Sequence, residues 1–293
     1  MLIKNARIAR LSVRVFGFAL VLLSLNSANA QQPRRFGAFE PQRGVEFGTR
    51  NFIAVAPTSA IAKCVAEEAE RQRSILAKLW LGKEIPVWSQ RCPINVRLDA
   101  HCGGSTNFDF SGCRDCGPQV CMNLQGDFDS ILNNVLPHEM THVVLATYFQ
   151  KPVPRWADEA AAMLSESKPR CEQYCQAFLC QPGQRRMYGV QNLFCMREYP
   201  GEPKLFYDQS YSIANFLVCR KDRKTFLTFV RTGINDGWER AAKDCYDFNS
   251  IAGLETAWLA AINDEPKAVA APSPMKKVAQ NSGGSASAAG MSP

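Results

Sequence analysis

The sequence is short of several things, and each shortage narrows what the chain can be. Histidine is scarce, with three residues in 293. Beyond the N-terminus no apolar run approaches the ~20 residues needed to cross a bilayer, so no stable membrane span is expected in the body of the chain. Residues 1–30 contain no acid, and no internal repeat is visible. A large charge excess is also missing. The formal charge is +7, and removing the basic Lys4, Arg7, Arg10 and Arg14 with the N-terminal segment brings it to +3. That is an ordinary surface, and no nucleic-acid partner is expected.

The same N-terminal segment has a clear pattern. A basic head is followed by an apolar stretch from Val15 to Leu25 and a small-residue exit at Ala28-Asn29-Ala30. This is the layout of a secretory signal peptide over 1–30, and it predicts an exported protein, periplasmic, secreted or held at a bacterial cell surface. Twelve cysteines follow, none in the signal or the C-terminal tail. In an oxidising compartment an even count predicts a disulfide-stapled fold of undetermined pairing. Cys113-Arg114-Asp115-Cys116 reads as part of a stapled loop rather than a zinc knuckle.

Residues 31–49 mix Gly, Pro and charge without period and read as an extended lead-in. Residues 266–293 turn to Ala, Pro, Ser, Gly and Lys, a composition too poor in apolar surface to offset the entropy of ordering. One folded body is expected between, over 50–265. Its first part carries strand patterns at Asn51–Ala56, Ile94–Leu98, Asn107–Phe110 and Gln119–Leu124. Between the first two, Pro57-Thr58-Ser59 offers a cap for a helix over 60–81. Helical periods then dominate, at 129–149, 155–166, 207–219, 223–232, 236–245 and 253–263. Strands first and helices after predict an α+β fold.

Two of the three histidines stand four apart in His138-Glu139-Met140-Thr141-His142. On a helix that spacing aims both imidazoles from one face, with Glu139 close enough to flank the same ion. Leu136, Val143, Val144 and Leu145 mark the helix as buried, Asp129 and Ser130 offer its cap, and Pro137 is expected to disturb it just before His138. Lys151-Pro152-Val153-Pro154 ends this helix and Arg155-Trp156-Ala157-Asp158-Glu159-Ala160 begins another. A short turn between antiparallel helices lets a carboxylate of the second reach a metal held by the first. Glu159 is the expected third ligand and Asp158 its rival. Glu166, two turns beyond Glu159, could stand behind a metal ligand, although a solvated helix face is the reading preferred, and His101 reads as a surface or core histidine.

Val135 to His142, followed by Pro154-Arg155-Trp156-Ala157-Asp158-Glu159-Ala160, resembles the gluzincin pattern of the bacterial peptidase MA-like superfamily. In those proteins a W-x-x-E-G-x-A segment supplies the glutamate ligand, which favours Glu159 over Asp158. Tyr207-Asp208-Gln209-Ser210-Tyr211-Ser212 resembles a later helix of the same family, and Asn51 to Gly82 its opening strand and helix. The likeness departs from the pattern where Ala160 replaces the usual glycine. The resemblance implies a thermolysin-like zincin, with a small mixed sheet over the active-site helix and a helical C-terminal half.

It also implies a zinc metallopeptidase acting on peptides or proteins. Zinc (Zn2+) would be held by His138, His142 and Glu159, with Glu139 as general base and Tyr207, or else Tyr211, steadying the oxyanion. Gly103-Gly104-Ser105-Thr106-Asn107-Phe108 falls where zincins place the edge strand that receives the substrate by strand addition. Aminopeptidase relatives carry a glutamate there. Its absence before Asp109 favours an endopeptidase. The other reading is a zincin-fold binding or cell-surface module, stabilised by zinc but catalytically inactive.

Overall fold

A computed structural model describes residues 12–16, 44–110, 119–179 and 187–264. Cys113, Cys116 and Cys180, the 266–293 tail and most of the 1–30 segment lie outside these residues. The architecture is α+β, a mixed sheet followed by a helical half. The strands are β1 (Ser12–Phe16), β2 (Val45–Gly48), β3 (Phe52–Ala56), β4 (Cys92–Leu98), β5 (Gly103–Asp109) and β6 (Gln119–Gly126). They lie in the order β1-β5-β6-β4-β3-β2. β3, β4 and β6 run parallel to one another, with Ile94 opposite Met122. β2 pairs antiparallel with β3, as β5 does with β6 and β1 with β5. The body of the domain thus supplies five strands, and β5 is their edge. Ser12–Phe16, from within the expected signal segment, runs along that edge.

Helix α1 (Ser59–Leu81) starts where Thr58 accepts a hydrogen bond from the Ile61 amide and stops at Gly82, whose φ of 71° suits glycine. Its core face is Ala62, Val65, Ala66, Ala69, Leu76, Ala77 and Trp80. Ile75 and Leu79, on the other side of the helix, are exposed. The small residues let α1 lie close to β3 and to the helix beneath.

That helix is α3 (Leu136–Phe149), preceded by the single turn α2 (Phe128–Ser130) and a π-helical turn at Ile131–Val135. The cap is Asp127, whose carboxylate accepts from the Ser130 amide at 2.9 Å, not Asp129 or Ser130 as the sequence suggested. The disturbance expected of Pro137 takes the form of the π turn, which passes into α3 where the ring lacks its N–H. Leu136 to Ala146 are all buried, because α3 is covered by α1, β5, β6 and α4 (Arg155–Met163). The rest of the helical half is α5 (Lys168–Leu179), α6 (Val190–Cys195), α7 (Pro203–Arg220), α8 (Arg223–Asp236), α9 (Trp238–Tyr246) and α10 (Ile251–Asp264).

Trp156 of α4 is fully buried and stacks on Phe194 of α6 at 4.0 Å, with Phe226, Phe229 and Trp238 around it. This aromatic cluster ties α4 to α6, α8 and α9. The expected disulfide framework is not formed among the nine described cysteines. They sit one to an element on β4, β6, α1, α6, α7, α9 and the β4–β5 turn, except for Cys171 and Cys175, which share α5 a turn apart. Burial holds the Cys92 thiol well above its ordinary value and pushes Cys171 up to about 11, so both stay protonated at neutral pH.

Candidate metal centre

The helical period of α3 stacks His138 and His142 on one face, their ring centroids 5.0 Å apart. The turn after α3 begins at Gln150, in the left-handed conformation, and Pro154 starts α4. The second helix returns alongside the first and delivers Glu159. Its Oε2 lies 3.6 Å from His138 Nε2 and 4.0 Å from His142 Nε2. The three residues each turn one ligand atom toward a common point, all within 4.8 Å of one another, and form a possible metal site. His142 and Glu159 are essentially inaccessible to solvent.

The chemistry of these atoms fits a metal. His138 Nε2, His142 Nε2 and Glu159 Oε2 are buried polar atoms with no hydrogen-bond partner. Three orphans facing one another are costly unless something joins them. The other sides of the same groups are provided for. His138 Nδ1 is 2.8 Å from Glu166 Oε1, and His142 Nδ1 faces Asp158 Oδ1 at 3.0 Å, a charge contact rather than an aligned hydrogen bond. Carboxylates behind both Nδ1 atoms favour the tautomer that leaves Nε2 to a metal. Tyr199 donates to Glu159 Oε1 at 2.5 Å.

Charge in the metal-free site follows from this crowding. Burial pulls the His138 pKa down, but Glu159 and Glu166 outweigh it and hold the value well above 6.5. His142 is raised too, burial again being overcome, here by Asp158 and Glu159. Glu159 is lowered: burial opposes its ionisation, and the two imidazoles more than compensate. Glu139 is raised, chiefly by burial.

Glu139 is held from the sheet side. Its Oε2 accepts from Thr106 Oγ1 at 2.6 Å, and a Cβ added to Gly104 would fall 2.4 Å from its Oε1. The Gly-rich stretch is therefore the beginning of β5, and Gly104 lets the strand close over the carboxylate. A cleft of about 580 Å3 opens beside His138 and Glu139, with Gly103, Gly104, Val135, Arg170 and Tyr207 among its walls.

The site gathers the expected His138, Glu139, His142 and Glu159, with Tyr207 on the cleft wall. Tyr211 is elsewhere. Its hydroxyl is 3.7 Å from Cys175 Sγ, and its ring lines a separate cavity of about 340 Å3 with Phe178, Cys219 and Ile262. Asp158, the rival ligand, stands behind His142 instead. Glu166 is no solvated residue: α4 ends at Met163, and the turn beyond swings Glu166 back onto His138 and the Tyr174 hydroxyl. His101 is an exposed histidine beside Asp99, at the rim of the cleft. Thr106, Gly104 and Tyr199 were not singled out by sequence reasoning. Gly104 had a signal in the Gly-rich run, whereas Tyr199 lies in an aperiodic segment with none. Compared with protein-family models and with curated proteins, the chain gives no match.

Proposed function

We propose that this protein is an exported zinc metallopeptidase of the gluzincin type, cutting peptide bonds inside a chain rather than trimming its amino end. The observation that carries the reading is the convergence of three orphaned ligand atoms beside a buried, separately anchored Glu139. His138, His142 and Glu159 would hold the ion. Zinc with three protein ligands supplies Lewis acidity, polarising an amide carbonyl and lowering the pKa of water to about 7.

The protein's own groups do the rest. Glu139, its carboxylate less acidic than usual through burial, takes a proton from the attacking water and returns it to the leaving amine. Thr106 and Gly104 keep that carboxylate in one place. Tyr207, on the cleft wall, is the residue assigned to steady the developing oxyanion. An extended substrate suits the outer edge of β5, where Ser12–Phe16 pairs antiparallel with Val15 opposite Thr106. Removal of 1–30 would open that edge.

A purely structural zinc would call for a closed set of four protein ligands. The described residues offer three, next to an open cleft. That difference favours catalysis over an inactive zinc-stabilised module. The test is zinc content and peptide cleavage by the mature chain and by Glu139→Gln. The expected outcome is one zinc in both proteins and a cleavage loss of roughly 10²–10⁴-fold in the variant. Zinc in both with equal cleavage, or with none, would remove the catalytic reading.

A further inference from the structure

Among groups outside the ligand set, Tyr199 stands out. It lies between α6 and α7 and its hydroxyl is spent on Glu159 Oε1, the carboxylate oxygen that does not face the histidines. The other oxygen, Oε2, is left without a partner and points at both Nε2 atoms. The ring is locked as well. The Arg155 guanidinium sits 4.4 Å above it, while Phe206 and Tyr207 pack against it at 5.8 and 6.0 Å.

Resting on the metal-site reading above, we propose that Tyr199 is a positioning residue for the metal. By holding Oε1, it makes Glu159 bind through Oε2 alone and so keeps a coordination position open for substrate. Without that hydroxyl, Oε1 would be a buried carboxylate oxygen with no partner, and a bound ion could supply one. The carboxylate then turns to bind through both oxygens. Tyr199 also sits in the helical half next to Arg155, so it links the placement of Glu159 to the packing of the segment that carries Tyr207.

Tyr199→Phe keeps the ring and its contacts and removes only the hydroxyl. Zinc affinity, measured by competition with a chromogenic chelator, is expected to weaken 10–100-fold, as for other residues that orient a ligand. In the cobalt-substituted protein the visible bands should lose intensity as Glu159 takes a second position. The melting temperature of the metal-free protein should fall only by what one lost buried hydrogen bond costs, because the ring packing survives. Unaltered zinc affinity and cobalt bands would overturn the proposal. So would a metal-free variant that is unfolded at the temperature of the titration, which would make Tyr199 a packing residue. Wild-type protein that binds no zinc would fail the metal-site reading and this inference together, and is recognisable as such because the wild type alone shows it.

Discussion

At the scale of single residues, the first ring of the site could be read from the sequence and its support could not. His138, Glu139 and His142 announce themselves by helical spacing, and Glu159 by its place after the helix break. For Glu166 the solvated face was preferred over a place behind a ligand because helical periodicity carried α4 past Met163, where the chain in fact turns. Thr106 and Tyr199 reach the site from a strand and an aperiodic connection, and no local pattern ties such residues to a helix far away in sequence. Gly104 permits a direct test. Gly104→Ala places a methyl against Glu139 Oε1, and displacing a catalytic group by about 1 Å can cost on the order of 10²-fold in rate. Steady-state kinetics should show that loss with zinc content preserved, since Gly104 touches no ligand. Full activity would mean that Glu139 has no fixed working position.

At the scale of elements, the sequence marked α1, α3 and four strands and blurred their ends. β5 starts earlier than its apolar pattern because Gly103 and Gly104 extend the ladder without adding side chains. β2 was hidden in a lead-in of Gly, Pro and charge, and α5 in a stretch whose cysteines suggested bridges. The orientation of α4 decides whether Glu159 arrives, and Trp156 fixes that orientation through its stack on Phe194. Trp156→Ala should therefore destabilise the protein by about 3–5 kcal/mol in denaturant melts. It should also weaken zinc binding, although residue 156 is no ligand. Loss of stability with unchanged zinc affinity would uncouple α4 packing from the site.

At the scale of the whole molecule, the candidate metal site joins the two halves. α3 lies under the sheet, α4 belongs to the helical cluster, and the site sits between them with β5 above. Without metal, the site prefers protons. His138 is held well above its ordinary 6.5, so the stability it adds is fully present below that pH and is lost as pH rises through the raised value. Glu139, also raised, adds a penalty in the same direction once it ionises. Glu159 is lowered, and its contribution is complete well below neutrality. In chelator, the melting temperature should fall as pH rises from about 6.5 through the raised His138 value. With zinc, which needs neutral imidazoles, stabilisation by the ion should grow over the same range. A chelated protein that gains stability across that range would contradict the charge assignment.

The central claim is that His138, His142 and Glu159 hold one zinc ion, in a chain that also carries twelve cysteines. Zinc-edge X-ray absorption on the loaded protein tests it most directly. The expected first shell is nitrogen and oxygen alone at about 2.0–2.2 Å, with the outer-shell scattering of two imidazoles. Sulfur at about 2.3 Å would assign the ion to thiolates and contradict the site described here.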